Sequence, residues 1–350
     1  MERPVLAACP TVVGSFPHRE PTRLLDQIFR SLPEMPAWPQ LPARDFRESM
    51  YTQYSEGLPG AVIDAKNERI HFSTQGRFHE ELEGFYQAIV EEDVERFAIS
   101  REYALGLHLF LDRLRSSDAK KPLWLKGQVT GPFSFAMTVT DENKRSIAYS
   151  TELNEIAVQG IAMKARWSAR RLRELADNAL IVLDEPYLCS FGSAFINVPR
   201  EDVITAINTS VEAIHKESAL AGLHCCGNTD WSLPLNSTID VINMDAYEFF
   251  NGLPLYPAEV KSYMDRGGIL SLGIVPTSEI VMELNAQKLY DALRERADLL
   301  VAKGIDRAQI NRQSLITPAC GLGSKSEAIS DQAMHVLVEL SAYIRERSGF

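Results

Sequence analysis

Long apolar runs are missing from this 350-residue sequence, and none approaches the roughly 20 residues that a membrane-spanning helix needs. Cysteine is also scarce, because five scattered thiols are too few for a disulfide framework and favour a reducing, cytoplasmic compartment. Basic residues number 36 against 47 acidic ones, which gives a net charge of -11. That balance argues against nucleic acid or an anionic membrane as a partner. The first residues do not have the pattern of a secretory signal peptide.

The remaining composition, 45% hydrophobic and 24% charged, is typical of a globular protein. The length allows two domains, but no shift in composition marks a boundary, so a single domain over residues 1–350 is predicted. Residues 33–42 contain four prolines, which exclude helix and central strand and predict an extended segment that covers the fold. Residues 61–73 carry apolar positions on both sides of a polar turn and predict a β-hairpin.

From residue 123 onward, apolar runs typical of strands alternate with stretches of helical period. The strand-like runs are 123–129, 179–183, 218–223, 239–244, 269–274 and 310–316. Alternating β and α units of this kind imply a parallel sheet with helical crossovers. With the two N-terminal β segments, 5–15 and 61–73, the count reaches about eight, which predicts a single closed (β/α)8 barrel, the TIM-barrel architecture.

Polar residues stand at the carboxyl ends of these predicted strands. They are Gly14, Ser15, Thr130, Asp184, Glu185, His224, Cys226, Asp245 and Cys320. In a barrel the carboxyl ends of all strands converge on one face, where active sites are built. Residues that are far apart in the sequence are therefore predicted to form one cluster.

The stretch 223–231, L-H-C-C-G-N-T-D-W, places an imidazole and two thiols at the end of a predicted buried strand. Side chains alternate along a strand, so His224 and Cys226 face one side and Cys225 the other. His-x-Cys is then a two-ligand face for a borderline-soft cation such as zinc. The alternative is a structural histidine beside inert core thiols. The other polar residues at strand ends favour the metal site.

Six short motifs occur in the order and spacing of a known family. They are V-G-S-F-P at 13–17, T-G-P at 130–132, D-E-P at 184–186, H-x-C at 224–226, D-V-I-N-M-D at 240–245 and T-P-A-C-G-L at 317–322. On these residues the whole chain resembles the catalytic barrel of cobalamin-independent methionine synthase. The larger group includes uroporphyrinogen decarboxylase and the methylcobamide:coenzyme M methyltransferases. Short single-barrel relatives of this kind are called core methionine synthases.

The resemblance implies one zinc ion per chain, held by His224, Cys226 and Cys320 together with a carboxylate. Methionine synthases carry glutamate at the fourth place, where this chain has Asp245. In the family the zinc binds the thiol of homocysteine and lowers its pKa, and a thiolate is the nucleophile that methyl transfer needs. Asp245 is thus implied to be both a metal ligand and a catalytic residue.

The same resemblance implies an amino-acid subsite. Gly14, Ser15 and Asp184 are expected to hold the carboxylate and ammonium of homocysteine, and Asp184 suits the ammonium by its charge. Glu185 of the D-E-P motif is expected to bind substrate as well. A strand-end acid that caps a helix is the alternative interpretation of Asp184.

Departures from the family pattern concern the methyl donor. Thr138 replaces a tryptophan that stacks on folate, and Ser190 replaces a glutamate that binds the pterin. Methyltetrahydrofolate is therefore not expected as donor, and methylcobalamin or a methylated corrinoid protein is. The Pro-rich segment 33–42, with Trp38, is a candidate contact for a corrinoid domain. Residues 273–278 lack a family histidine, which leaves contacts to the acceptor open.

The sequence therefore predicts a cytoplasmic, zinc-dependent methyltransferase that methylates homocysteine to methionine, with a corrinoid protein as partner. Three alternatives remain. In the first, the methyl acceptor is another thiol, such as coenzyme M, or a folate in a demethylation pathway. In the second, the chain is a decarboxylase of the tetrapyrrole type, which leaves the three soft metal ligands unexplained. In the third, it is a zinc- or corrinoid-binding protein without catalysis, which a fourth cysteine at the metal would favour.

Overall fold

A computed structural model describes residues 6–116, 121–194 and 196–347. The strands are β1 (Cys9–Pro10), β2 (Ala61–Asp64), β3 (Arg69–Phe72), β4 (Leu125–Thr130), β5 (Thr140–Asp141), β6 (Ala179–Asp184), β7 (Leu220–Cys225), β8 (Val241–Asp245), β9 (Ile269–Val275) and β10 (Ser314–Pro318). The helices are α1 (Pro21–Ser31), α2 (Thr52–Ser55), α3 (Phe78–Val90), α4 (Leu105–Ser116), α5 (Pro132–Thr138), α6 (Thr151–Arg173), α7 (Arg200–His215), α8 (Ser232–Leu235), α9 (Pro257–Asp265), α10 (Ala286–Val301), α11 (Arg307–Arg312) and α12 (Glu327–Glu346).

Seven strands form one parallel sheet in the order β1-β10-β9-β8-β7-β6-β4. Strands β6 to β9 lie within about two residues of their predicted positions, because apolar runs of strand length bounded by turns are a local signal. The predicted strand 310–316 is wrong in its first part, which is helix α11. Ile310 is buried there as the apolar residue of a short helix, and β10 begins only at Ser314.

The predicted hairpin does not supply an eighth strand to this sheet. Strands β2 and β3 pair antiparallel, but they form a separate three-stranded sheet with β5. The Pro-rich segment, residues 33–42, lies beside the two outer strands of the seven-stranded sheet, β1 and β4. Ala37 makes a single parallel bridge with Lys126 on β4, and Gln40 makes one with Ser15 beyond β1. The fold is thus a mixed α/β architecture around a seven-stranded parallel sheet.

The Pro-rich segment packs tightly against β4. Trp38 is 1% exposed, and a Cβ at Gly127 would lie 2.3 Å from its ring, so only glycine allows the two to approach. Met35 and Leu41 are also buried. The segment therefore covers the sheet with its apolar side chains turned in. Trp38 therefore packs in the core of the fold, with almost none of its side chain exposed.

Alternate strand residues face two different apolar clusters. Leu180 and Val182 of β6 join a small cluster with residues of β7 to β10, whereas Ile181 and Leu183 join the main core. We call the side of the sheet that carries the small cluster its inner face. By alternation Asp184 at the end of β6 lies on the inner face as well. The inner face is thus apolar where strands begin and polar where they end.

The longest helix, α6, supports strands β4 and β6 from the other side. Ser150 caps its first turn by accepting a hydrogen bond from the Leu153 N–H, and basic residues in its last turn favour the helix dipole. This packing fixes the ends of both strands, which carry candidate site residues. Within the described ranges, no helix is long and apolar enough to cross a membrane.

Candidate metal centre and substrate cavity

Three predicted metal ligands come together at the carboxyl ends of two strands. His224 belongs to β7, Cys226 directly follows it, and Cys320 lies two residues after β10. One ligand atom from each lies within 4.8 Å of the others. Cys225, between the first two, is fully buried, and its thiol donates to the Gly227 carbonyl. Strand alternation thus separates the two neighbouring thiols as the sequence predicts.

This donor set fits a zinc ion. Two thiols and an imidazole are ligands that zinc prefers, and three protein ligands leave a position for substrate. His224 is 3% exposed, and neither ring nitrogen has a hydrogen-bond partner among the described residues. Buried polar nitrogens normally have a partner, and a bound metal would provide one for one of the two ring nitrogens.

The surroundings of the three side chains shift their pKa values, and one thiol is favoured as a thiolate, the form that binds a metal cation. The contact with Cys320, together with the neighbouring His224, lowers the pKa of Cys226 to about 4 despite its burial. The same contact raises the pKa of Cys320, and burial adds to the effect. Burial lowers the pKa of His224, but the neighbouring Cys226 and Asp184 outweigh it and leave the pKa raised. These neighbours thus favour the thiolate form of Cys226.

A cavity of about 330 Å³ opens beside the three ligands. Its wall includes Ser15, Gln40, Asp184, His224, Cys226 and Cys320. The predicted substrate residues Ser15 and Asp184 therefore share one cavity with the three metal-ligand candidates. A second cavity of about 310 Å³ lies at the opposite ends of the strands, next to Trp124 and His215, and none of the predicted site residues lines it.

Asp184 is the carboxylate inside this cavity. Burial raises its pKa to about 6, against the lowering effect of His224 and Lys126. One of its oxygens, Oδ1, has no hydrogen-bond partner among the described residues. A buried acceptor of this kind is ready to receive a donor from a bound ligand.

Lys126 is a functional candidate that the sequence analysis missed. It lies on β4 at 3% exposure, donates a hydrogen bond to the Val13 carbonyl, and its pKa is lowered to about 8 by burial. Its charge acts on both Asp184 and His224. The sequence feature that could have identified it is the presence of a lysine inside the strand-like run 123–129.

Of the neighbouring residues Gly14 and Ser15, only Ser15 is among the residues that line the cavity. Gly14 has φ +137°, and a Cβ there would lie 2.1 Å from the side-chain oxygen of Gln128. Ser15 lines the cavity, and its hydroxyl oxygen accepts a hydrogen bond from the backbone N–H of Gly323. A hydroxyl group that accepts one hydrogen bond can still donate another.

Glu185 has a different environment from its neighbour Asp184. Its carboxylate accepts hydrogen bonds from the Phe133 N–H at 3.0 Å, the Ser134 N–H at 2.7 Å and the Ser134 hydroxyl. Burial raises its pKa to about 7 although these donors lower it. Glu185 is fully buried and holds the first turn of α5, and it is not among the residues that line the substrate cavity.

Asp245 is separate from the three-ligand cluster. Its Oδ1 accepts hydrogen bonds from the backbone N–H groups of Tyr247 and Glu248, at 2.9 and 2.8 Å. Burial raises the pKa of Asp245, and the charge of Cys226 contributes to the rise. The carboxylate is thus near enough to sense Cys226, with Oδ2 left free of these two bonds.

Thr138 and Ser190, where the sequence departs from the folate-using pattern, lie in segments that follow strands of the sheet. Thr138 is exposed at the end of α5, after β4, and Ser190 is partly exposed in the turn after β6. All five cysteines are free thiols.

No protein-family model matches this chain, and no curated protein matches it. Among solved structures, a B12-independent methionine synthase from Shewanella sp. W3-18-1 in complex with selenomethionine is similar, with a TM-score of 0.57 and 14% identity. The match covers 98% of this chain and 99% of that chain. A β-glucosidase from Thermotoga maritima in complex with cyclophellitol has a TM-score of 0.37 and 10% identity over 94% and 87% of the chains, too low for an inference. The chain therefore shares the overall fold of the solved methionine synthase.

Proposed function

We propose that the protein is a zinc-dependent methyltransferase that moves a methyl group from methylcobalamin, or a methylated corrinoid protein, to the thiol of homocysteine. The observation that carries the proposal is the set of donor atoms of His224, Cys226 and Cys320 on the wall of a cavity that also holds Asp184. Zinc bound by the three would make a substrate thiol more acidic and so supply a thiolate nucleophile.

The protein's own residues bind and orient the acceptor. The Asp184 carboxylate attracts the ammonium group, and the Ser15 hydroxyl donates to the substrate carboxylate. Asp245 orients a group beside the metal through its free oxygen. The solved methionine synthase of similar fold is bound to selenomethionine, an amino acid with the carbon skeleton of methionine, which supports an amino-acid acceptor.

We further infer that the chain is one domain whose sheet closes as an eight-stranded barrel, with residues 37–40 in the eighth place. The bridges of Ala37 to Lys126 and of Gln40 to Ser15 connect that segment to both sides of the gap. The nearly full coverage of the match supports one domain.

The test begins with elemental analysis of the purified protein for zinc. Zinc-loaded protein is then incubated with free methylcobalamin and homocysteine, and methionine is measured, with Cys226→Ala as the control that lacks a ligand. Methylation of a sulfonate thiol such as coenzyme M in place of homocysteine would favour the first alternative. Protein that contains no zinc, or decarboxylates a tetrapyrrole, would contradict the proposal.

A further inference from the structure

Cys189 and Cys225 are two thiols outside the candidate metal centre. Cys189 lies in the turn 186–190 that follows β6, where it is exposed to solvent. Cys225 is the last residue of β7 and is fully buried, because strand alternation turns it away from the side of His224 and Cys226. The proposed methyl transfer uses neither thiol.

Both side chains lie against the same residue, Gly227. The Cys225 thiol donates a hydrogen bond to the Gly227 carbonyl, with 3.6 Å between sulfur and oxygen. A Cβ built on Gly227 would lie 2.7 Å from the Cβ of Cys189 and 3.6 Å from its sulfur. Only glycine lets the turn that carries Cys189 approach the end of β7 so closely.

Two further observations make the cysteines neighbours. Burial raises the pKa of Cys225, and the charge of Cys189 adds to the rise, an effect that weakens with distance. Beside them the Thr229 hydroxyl donates a hydrogen bond to the Leu188 carbonyl at 2.8 Å, which holds the turn after β6 on the loop after β7. Cys189 is thus kept next to the end of the strand that carries Cys225.

The two thiols differ in what can reach them. A small oxidant in solution has access to the exposed Cys189 but not to the buried Cys225. A cysteine that is oxidised beside a second thiol condenses with it to a disulfide. We propose that Cys189 and Cys225 form a peroxide-sensitive disulfide site, in which Cys189 is oxidised first and Cys225 is the resolving thiol.

The reaction is a two-electron oxidation by hydrogen peroxide. Peroxide transfers one oxygen to the sulfur of Cys189, which gives a sulfenic acid and one water. The sulfur of Cys225 then attacks the sulfur of Cys189. The S–O bond breaks, the S–S bond forms, and the hydroxyl group leaves with the Cys225 proton as a second water. A dithiol reductant returns both thiols.

The disulfide would join two segments of the cavity wall. Pro186, at the start of the turn that carries Cys189, lines the cavity, and so does Cys226, next in sequence to Cys225. Neither bonded cysteine is a candidate ligand, so a bound zinc ion should stay in place. The site does not depend on the proposed methyl transfer.

The test treats the purified protein with hydrogen peroxide, blocks the remaining thiols with iodoacetamide and maps disulfides by mass spectrometry. The peptide that contains Cys189 should become linked to the one that contains Cys225, with a loss of about 2 Da. Dithiothreitol should release the link. Zinc content, measured on the same sample, should be the same before and after oxidation.

Variants identify the partner, because Cys225 and Cys226 fall in one peptide. Cys226→Ala retains the proposed pair and should form the same link, whereas Cys225→Ala should lose it. Without its resolving thiol, Cys225→Ala should accumulate the sulfenic acid at Cys189, which dimedone traps. Cys9→Ala removes a buried thiol elsewhere and should behave like the wild type. A melting curve shows whether each variant is folded.

Three results would overturn the site. The first is a link that persists in folded Cys225→Ala, and the second is dimedone trapping at Cys189 in the wild type without any disulfide. The third is a link between Cys226 and Cys320 with loss of zinc in place of the proposed one. If Cys225→Ala does not fold, Cys189→Ser changes only an exposed side chain, and a disulfide at Cys225 that persists there would equally reject the pair.

Discussion

The hydroxyl oxygen of Ser15 accepts a hydrogen bond from the backbone N–H of Gly323, with 3.3 Å between the two atoms. The Leu322 N–H also donates to the Ser15 carbonyl, at 2.9 Å. Residues at the two ends of the sequence are thereby joined next to Cys320. The position of one metal-ligand candidate thus depends on a turn formed more than three hundred residues earlier.

This contact predicts a non-additive pair of substitutions. A Cβ at Gly321 would lie 2.2 Å from the Ser15 hydroxyl oxygen, so Gly321→Ala should displace the hydroxyl and break its bond to Gly323. We expect a loss of about 1 kcal/mol in the free energy of unfolding. In a Ser15→Ala background the nearest atom is the Ser15 Cβ at 3.6 Å, so the same change should have little further effect. Urea unfolding of the four proteins measures the coupling, and strict additivity would contradict it.

Removal of single thiols should separate the metal ligands from their neighbour. We expect about one zinc per wild-type chain, and most of it lost in Cys226→Ala and Cys320→Ala, because each removes one of three ligands. Cys225→Ala is the matched control and should keep its zinc, since burial raises the pKa of that thiol to about 12. Elemental analysis gives the result, and full zinc in Cys320→Ala would reject the assignment.

The fold itself should survive removal of the metal. A core of this size does not depend on one ion, so chelated protein should keep its circular dichroism spectrum. Unfolding on chelation would instead indicate a structural zinc site.

Asp245→Asn should keep most of the zinc and slow methyl transfer about 10-fold or more. The asparagine oxygen can still accept the two backbone bonds from Tyr247 and Glu248, so the turn after β8 persists while the charge is lost. Zinc content and single-turnover rates are measured together. Loss of zinc as complete as in Cys226→Ala would make Asp245 a full ligand. Unchanged zinc and rate would move the role to another acid, with Glu248 next.

Methyltetrahydrofolate should give no methionine with homocysteine, whereas free methylcobalamin should. Thr138 and Ser190 offer neither the aromatic surface nor the acid that the sequence resemblance associates with pterin binding. Both donors are compared on the same zinc-loaded preparation, so that an inactive sample cannot be mistaken for donor choice. Substantial transfer from the folate would reject the corrinoid donor.

Lys164 on α6 should make stability depend on pH in the alkaline range. Burial lowers its pKa from 10.5 to about 8, partly offset by Glu56. Between these values the folded state binds fewer protons than the unfolded state, so the free energy of unfolding rises with pH. Below pH 8 Lys164 is protonated in the folded state as well, so the full free-energy cost of burying its charge lowers the stability of the fold.

Lys164→Met should therefore raise the free energy of unfolding at pH 7 by about 1–3 kcal/mol and flatten its rise above pH 8. Lys261→Met removes an exposed lysine instead and should keep the wild-type pH dependence. Denaturant unfolding from pH 6 to 10 measures both, and an unchanged slope in Lys164→Met would contradict the buried charge.

Local sequence determined the parallel sheet from β6 to β9 and the spacing of His224 and Cys226. Apolar runs of strand length need burial on both faces, and strand alternation then fixes which side each residue takes. The motifs also indicated Cys320, since a polar residue at a strand end in a parallel sheet meets the other strand ends. These features depend on residues that are close in sequence and on the rule that the carboxyl ends of parallel strands meet at one edge of the sheet.

Only the tertiary structure decided the rest. The sequence predicted that the hairpin adds to the main sheet and that the Pro-rich segment covers the fold, but the sheet edge that each one meets is defined only in the folded chain. Adjacent acids Asp184 and Glu185 look alike in the sequence, yet one faces the cavity and the other holds α5. The buried Gln128 donates a hydrogen bond from its side chain to the Trp38 carbonyl, ninety residues away. A hydrogen-bond partner that is distant in sequence leaves no local pattern, so such roles emerge only when the chain is folded.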